Sequence, residues 1–140
     1  MKKVIICCSI TSADRAIDAR DKLVAMGFAV EIPLGVKQYI ENGYIHLSES
    51  ERAKNKKDLD LIGRYYEKIK DSDLVLVINI EKHGIPGYIG GNTFLEMGFA
   101  HILKKPIFVL NPLPDCGYSD ELHALNAEVI DGDLNKLMEL

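Results

Sequence analysis

Five short apolar runs divide the chain, and each has the length and composition of a buried strand. They cover residues 4–9, 28–32, 74–80, 107–110 and 128–130. Apolar and β-branched residues dominate these runs without a clear polar alternation, as in parallel strands that are covered on both faces. We therefore predict five strands, most of them in the interior of the protein.

Between these runs, apolar residues recur every three or four positions, which predicts amphipathic helices. The predicted helices cover residues 13–26, 48–69, 94–103, 119–124 and 134–140. Gly27 follows the first of them as a helix-ending glycine, and the third is apolar on nearly every side. Residues 34–48 have no period and contain Gly35 and Gly43, so we predict a long binding loop or lid there.

Alternating strands and helices in a 140-residue chain predict one α/β domain, residues 1–140. We expect a flavodoxin-like or Rossmann-like three-layer sandwich with a five-stranded parallel sheet in the order 2-1-3-4-5. Ligands of such sheets bind at the carboxyl ends of the strands, where the strand order reverses. The loops at residues 9–12 and 81–92 should therefore lie side by side at a site.

Composition narrows the class of protein. Hydrophobic residues are 47% of the chain, charged residues 27%, and the net charge is -4, which is typical of a globular domain and atypical of a nucleic-acid binder. No apolar run is long enough to span a membrane, and we interpret the opening run as a strand rather than a signal peptide. Cys7, Cys8 and Cys116 lack CxxC spacing, which indicates reduced thiols and a cytoplasmic protein. Adjacent Cys7 and Cys8 should point to opposite faces of their strand.

The main candidate for chemistry is a glycine-rich loop followed by a helix with a single carboxylate, Glu96. Loop glycines let the backbone approach a ligand, and a helix N-terminus favours a phosphate, a carboxylate or a ribose hydroxyl. A lone acid among apolar residues is costly unless it is paired or used. Thr93 and Glu96 also have the spacing of a capping box, so a structural role stays open beside a functional one.

Other polar residues are candidates for substrate binding, and some of them also have a purely structural explanation. Ser9, Thr11 and Ser12 offer hydroxyls after the first strand, or they cap the first helix. His123 lies beside a predicted loop, where it can contact a substrate. The histidines form no HxH or HxxxH pair, so we predict no metal site, and no GxGxxG follows the first strand, which disfavours a dinucleotide cofactor.

The block of Glu96, Gly98 and Ala100, followed by Lys104-Lys105-Pro106 and an apolar strand, carries a family resemblance. It resembles the E-x-G-x-A block of the nucleoside 2-deoxyribosyltransferase family, which includes the 2′-deoxynucleoside 5′-phosphate N-hydrolases. Two further segments are similar to that family. They are Cys7-Cys8-Ser9-Ile10, like its C-G-S-I, and Ser72-Asp73 before the third strand, like its Ala-Asp.

The resemblance implies an enzyme that cleaves or transfers at the N-glycosidic bond of a small nucleoside or nucleotide. Glu96 would attack the anomeric carbon and form a glycosyl-enzyme ester, with Asp73 or Asn92 supporting it and no cofactor required. The expected substrate-binding residues are Ser9, Ile10, Thr11, Gly87, Gly90, Gly91, Asn92, Thr93 and His123. The family also implies a homodimer or a higher homo-oligomer.

Departures from the family keep alternatives open. Gly90 stands where the transferases often have an aspartate and the N-hydrolases a serine, Ile5 replaces an aromatic hydroxyl, and an acid is missing near Tyr65. These losses favour a non-catalytic nucleotide-binding or sensor domain of the same fold. The run from Gly90 to Glu96 also resembles a degenerate GGxGTxxE motif of LOG-type phosphoribohydrolases. A flavodoxin-like FMN carrier is a further alternative.

Overall fold

The computed structural model describes residues 1–43, 49–58 and 60–140. Its five strands form one parallel sheet in the order β2-β1-β3-β4-β5, which confirms the predicted fold class and strand order. The strands are β1 Lys3–Cys7, β2 Ala29–Glu31, β3 Leu74–Val77, β4 Ile107–Val109 and β5 Glu128–Val129. β1 and β3 occupy the centre, where Val4 pairs with Leu74 and Cys7 with Val77.

Helices cover both faces of the sheet. They are α1 Ala13–Ala25, α2 Leu34–Asn42, α3 Glu49–Asp58, α4 Leu61–Lys70, α5 Gly91–Ile102 and α6 Ser119–Ala124, with 3₁₀ turns at Ile10–Ser12 and Leu134–Glu139. One core packs the sheet against α1, α2 and the last 3₁₀ turn. The other packs it against α4, α5 and α6. Cys8 belongs to the first core and Cys7 to the second, as strand alternation predicts.

The predicted loop at residues 34–48 is wrong for its first part, because Leu34–Asn42 is a helix. Pro33 stands at its N-cap and Gly43, with a positive φ of 76°, ends it. Val36 is 1% exposed and packs into the core beside α1, so tertiary packing stabilises a helix whose own sequence is weakly periodic. Residues 44–48 lie outside the described residues.

The predicted single helix at residues 48–69 is two helices, α3 and α4. Asp60 separates them in a left-handed conformation with φ 46°, and its carboxylate accepts a hydrogen bond from the Gly63 amide. An aspartate at an N-cap starts a new helix because it satisfies an otherwise free N–H group. Gly63 leaves room for this cap, since an added Cβ would collide with the Asp60 carboxylate.

α5 begins at Gly91, three residues before its predicted start, with Gly90 as N-cap and no side-chain cap. The alternative role of Thr93 and Glu96 as a capping box is therefore not seen, because Thr93 lies inside the first turn and Glu96 in the second. The helix is also not buried on every side: Leu95 is 43% and Ile102 78% exposed. No helix in the described part of the chain combines the length and apolar character needed to cross a membrane.

Candidate active site

A polar cleft opens at the carboxyl edge of the sheet, between the segment that follows β1 and the loop that follows β3. Its volume is about 260 Å³ when the open mouth is included. The cleft is lined by Ser9, Thr11, Ser12, Ile78, Ile80, Lys82, Tyr88, Gly90 and Thr93. The two loops therefore meet where the strand order reverses, as predicted. We call this site the open cleft.

The walls of the open cleft carry hydroxyl groups and a cation. The Ser9 and Thr11 hydroxyls are 2.7 Å apart and hydrogen-bond each other. Ser12 is 4% and Thr93 5% exposed, and neither side chain hydrogen-bonds any residue that the structure describes. Lys82 lies with its ammonium 6.0 Å from the centre of the Tyr88 ring. The Ser12 and Thr93 hydroxyls line the cleft and remain available to hydrogen-bond a polar ligand.

Helix starts add further donors at the same place. Ser9 before the 3₁₀ turn, Ser12 before α1 and Gly90 before α5 make no side-chain cap, so the alternative capping role of the serines is not seen. The first-turn N–H groups of a helix without a cap keep their hydrogen-bonding capacity. The cleft thus joins free N–H groups, hydroxyls and an ammonium, an arrangement that favours an anionic ligand.

Glu96 lies one turn further along α5 than Thr93, on the same side of the helix. It is 7% exposed and packs toward the end of β1. Cys7, the last residue of β1, is close enough for the charge of this carboxylate to act on its thiol. Burial and, next, the negative charge of Glu96 raise the pKa of Cys7 well above its ordinary value, and the same causes raise the pKa of Cys8 to about 12. The pair therefore consists of a protonated thiol and a buried carboxyl group.

Tyr65 on α4 is a residue of this site that sequence reasoning missed. It is 7% exposed, and its hydroxyl donates a hydrogen bond to the Ile6 carbonyl oxygen. Burial, followed by the nearby Cys7 and Glu96, raises the pKa of Tyr65 well above its ordinary value. Tyr65 precedes the buried Ile69 by four residues, and this helical spacing is the sequence signal that could have identified it.

Asp73 does not support Glu96, which corrects the prediction. Its carboxylate accepts a hydrogen bond of 2.7 Å from the Lys3 amide at the start of β1. Glu96 lies beside Cys7, at the other end of that strand, about 13 Å away for a strand of this length. A residue that precedes a parallel strand lies at the amino edge of the sheet, and the site is at the carboxyl edge.

The other predicted site residues fall into two groups. Ser9, Thr11, Gly90 and Thr93 line the open cleft, and Gly91 and Asn92 are exposed at the start of α5 beside it. The residues that do not line it are Ile10, which packs against the first core, Gly87, and His123, which is exposed in the last turn of α6. The cleft also contains four residues that were not predicted as site residues: the polar Lys82 and Tyr88 and the apolar Ile78 and Ile80.

Gly87 instead belongs to a hydrogen-bonded cluster that we call the asparagine clamp: Asn79, Gly87, Asn111 and Pro112. Asn79 is fully buried after β3, and its amide nitrogen donates to the carbonyls of Gly87, Asn111 and Pro112 at 3.1, 3.0 and 3.3 Å. Its side-chain oxygen accepts from the Asn111 amide at 2.9 Å, and the Asn111 side chain donates to the Asn79 carbonyl. The clamp fixes the glycine-rich loop that carries Tyr88 and Gly90.

Comparison with known proteins gives fold matches only. No family model matches the sequence, and no curated protein matches it. The structure of the CMP N-glycosidase BcmB from Clostridium botulinum matches with a TM-score of 0.52 and 19% identity, over 99% of this chain and 100% of that one. A 2-deoxyribosyltransferase from Bacillus psychrosaccharolyticus matches with a TM-score of 0.49 and 18% identity, over 81% and 75%. The flavoenzyme FerB from Paracoccus denitrificans matches with a TM-score of 0.48 and 15% identity, over 93% and 74%.

Proposed function

We propose that the protein cleaves or transfers at the N-glycosidic bond of a nucleoside or nucleotide, with Glu96 as the nucleophile. The observation that carries the proposal is a carboxyl group, only 7% exposed, one turn below the wall of a polar cleft at the strand-order reversal. A carboxylate in such a place can attack an anomeric carbon, displace the base and form an ester, which water or a second base then resolves.

Departure of the base needs a proton. The cleft-lining residues in the described part of the chain include no carboxylic acid, so the available donors are the Lys82 ammonium and the Tyr88 hydroxyl. A well-matched general acid contributes roughly 10²–10⁴-fold to such a step. We therefore propose that turnover is slow and that it depends strongly on how readily the base leaves.

The open cleft supports a phosphorylated substrate over an unphosphorylated one. Negative charge in the cleft would be stabilised by the Lys82 ammonium, by the Ser12 and Thr93 hydroxyls and by the uncapped helix starts. The proposed binding mode places a 5′-phosphate among these donors and the sugar toward Glu96. BcmB shares the fold and is named for CMP, so CMP belongs in the first substrate panel.

The test is base release from a panel of ribo- and deoxyribonucleosides and their 5′-monophosphates, followed by chromatography. We expect one or more monophosphates to release free base, and Glu96→Ala to abolish the release. Glu67→Ala, which removes an exposed glutamate from α4, is the matched control and should retain the wild-type rate. Release that survives in Glu96→Ala would overturn the role of Glu96.

The rival function is a non-catalytic nucleotide sensor, which Gly90 favours because it provides no acid at the mouth of the cleft. The same panel separates the two functions. Saturable nucleotide binding by calorimetry, with no base released from any compound over long incubation, would favour the sensor and contradict the enzyme.

We also propose that the protein forms a homo-oligomer. The family resemblance implies such an assembly, in which a neighbouring copy would complete the site. Ile62 on α4 and Leu95 and Ile102 on α5 are exposed apolar residues that a second copy can cover. Sedimentation of the wild type and of Leu95→Lys/Ile102→Lys tests this: we expect a multimer that the double variant dissociates, and a monomeric wild type would contradict it.

A further inference from the structure

We propose that Tyr88 is the residue of the open cleft that binds the nucleobase, and that Gly90 leaves the space that the Tyr88 ring occupies. The inference rests on the proposed function, which assigns a nucleoside or nucleotide to the cleft. It deepens that function by naming the side chain that distinguishes a nucleotide from its sugar phosphate alone. An aromatic ring suits this task, since every base presents a π-face on which such a ring can stack.

The contact between Tyr88 and Gly90 gives a reason for a glycine at the start of α5. Gly90 is the N-cap of α5 with φ -78° and ψ 171°, an extended conformation that any residue can adopt. Serine, aspartate or asparagine would cap the helix through a side chain, which glycine cannot do. A Cβ added at Gly90 would lie 3.5 Å from Cε1 and 3.9 Å from the hydroxyl oxygen of Tyr88. A longer side chain at this position would therefore compete with the ring for space.

The loop that carries Tyr88 is fixed by hydrogen bonds on both sides of this residue. Before it, the Asn79 side chain of the asparagine clamp donates to the Gly87 carbonyl at 3.1 Å. After it, the Tyr118 hydroxyl donates a hydrogen bond to the carbonyl of the buried Ile89. The backbone at Tyr88 is thus ordered before a ligand arrives, which lowers the entropic cost of binding.

The Tyr88 side chain remains available to a ligand. It is half-buried and lines the cleft, and its hydroxyl hydrogen-bonds none of the residues that the structure describes. Tyr65 and Tyr118, in contrast, each donate a hydrogen bond to a backbone carbonyl. The ring of Tyr88 meets the His83 ring edge-on, with centroids 5.5 Å apart and an angle of 86° between the planes. Its ring contact is thus with a residue of its own loop, and the fold uses no hydrogen bond from it.

The open cleft has a charged part and an aromatic part. Tyr88 is the only aromatic residue among the described residues that line it, and the Lys82 ammonium lies 6.0 Å from the centre of its ring. The proposed binding mode places the phosphate among Lys82 and the hydroxyls and the sugar toward Glu96, so the base is the part left for Tyr88. Loss of the Tyr88 ring should therefore weaken binding of a nucleotide and leave binding of ribose 5-phosphate unchanged.

Titration calorimetry with these two ligands tests the assignment. CMP, UMP, AMP and GMP are first titrated into Glu96→Gln, so that turnover does not consume them, and the nucleotide that binds most tightly is used further. In this background, we expect Tyr88→Leu to weaken binding of the nucleotide about 10- to 100-fold and to leave the affinity for ribose 5-phosphate unchanged. Tyr88→Phe, which retains the ring, should stay within about threefold of its parent for both ligands.

Tyrosine fluorescence gives a second measurement that is independent of activity. The protein contains six tyrosines and no tryptophan, so its intrinsic emission comes from tyrosine alone. After correction for absorption by the base, nucleotide binding should quench part of this emission, and Tyr88→Leu should abolish the quenching. Tyr66→Leu is the matched control and should retain it, because Tyr66 is also half-buried and in edge-on contact with one ring, that of Phe99, but does not line the cleft.

The outcomes separate this inference from the proposed function. Equal losses of affinity for the nucleotide and for ribose 5-phosphate in Tyr88→Leu would show a distorted cleft and overturn the inference. Unchanged nucleotide affinity in Tyr88→Leu, or no binding of any of the four nucleotides, would also overturn it. Base release by the wild type beside an unchanged affinity in Tyr88→Leu would leave the proposed function intact. The predicted affinities without base release from any substrate would support the base contact and contradict the proposed enzyme.

Discussion

At the carboxyl edge of the sheet, the crevice between β1 and β3 is open, whereas the crevice between β3 and β4 is filled by protein hydrogen bonds. In the filled crevice, the Asn79 side chain satisfies three carbonyls and one amide. In the open cleft, the Ser12 and Thr93 hydroxyls line the wall and hydrogen-bond none of the described residues. The comparison distinguishes the polar groups of the asparagine clamp, which stabilise the fold, from the hydroxyls of the open cleft, which are available to bind a ligand.

The cause of the difference lies in the strand order. The chain leaves β1 and β3 toward opposite faces of the sheet, so the segments after them diverge and leave a gap. The chain leaves β3 and β4 toward the same face, where α5 and α6 lie, and their loops run side by side. Adjacent loops can satisfy each other's backbone groups, and the asparagine clamp does so. Substitutions in the two crevices should therefore affect different quantities.

The largest expected effect is on stability, from Asn79→Leu in the asparagine clamp. The substitution leaves several buried carbonyls and the Asn111 amide without partners, which should lower the free energy of unfolding by about 3 kcal/mol. Denaturant unfolding measures the change. Asn135→Leu, at an exposed position, is the control and should stay within about 0.5 kcal/mol of the wild type. A loss for Asn79→Leu no larger than this control would show that the clamp does not stabilise the fold.

The next effect is expected for Gly87→Ala. Gly87 has a φ of 66°, and an added Cβ would collide with the Pro112 carbonyl oxygen, so unfolding should become easier by about 2 kcal/mol. Gly98→Ala is the matched control in the interior of α5, where an added Cβ has open space. It should stabilise the protein by up to about 1 kcal/mol. The two melting temperatures should thus move in opposite directions, and parallel shifts would contradict this description of the loop.

In the open cleft, Lys82→Met should change binding and leave stability unaffected. We expect the affinity for a nucleoside 5′-monophosphate to fall about tenfold, the loss of roughly 1.4 kcal/mol of charge-assisted binding, while the affinity for the unphosphorylated nucleoside stays constant. Titration calorimetry of both ligands measures this difference. Lys70→Met, at an exposed position on α4, is the control. An equal loss of affinity for both ligands would show that the phosphate does not bind beside Lys82 in this cleft.

The smallest expected effect is that of Thr93→Val, which should affect nucleotide binding more than stability. Thr93→Val replaces a cleft-lining hydroxyl that hydrogen-bonds no described residue with a methyl group of similar size, so it should change the free energy of unfolding by less than about 1 kcal/mol. The same change should weaken nucleotide binding by about 3- to 10-fold, because the ligand loses one hydrogen bond. A stability loss comparable to that of Asn79→Leu would contradict the contrast between the two crevices.

The fold class and the strand order were predicted correctly because they depend on patterns within single helices and strands. Apolar runs of strand length and the alternation of elements were enough for the fold and the strand order. The burial of Glu96 also followed from its apolar neighbours on α5. Asp73 was wrongly assigned, although its position before β3 already places it at the amino edge of the sheet.

The missed features depend on contacts between distant parts of the chain. Asn79 acquires its role from the Asn111 loop, 32 residues away, and Tyr65 meets the carbonyl of Ile6 across 59 residues. α2 forms because Val36 is buried, and the break at Asp60 depends on a left-handed backbone conformation. The periodicity of a single element does not show which distant residues it will contact. The sheet face on which the Cys7 side chain lies, in contrast, follows from strand alternation once the face covered by α5 is known.

The most direct test of the central claim is to look for the covalent intermediate. The protein is incubated with a nucleotide that releases base, quenched in acid, digested and analysed by mass spectrometry. We predict a peptide from α5 that carries the mass of the sugar or sugar phosphate on Glu96, absent from Glu96→Gln and retained in Glu67→Ala. Base release with the adduct on another residue, or undiminished release by Glu96→Gln, would contradict the claim that Glu96 is the nucleophile.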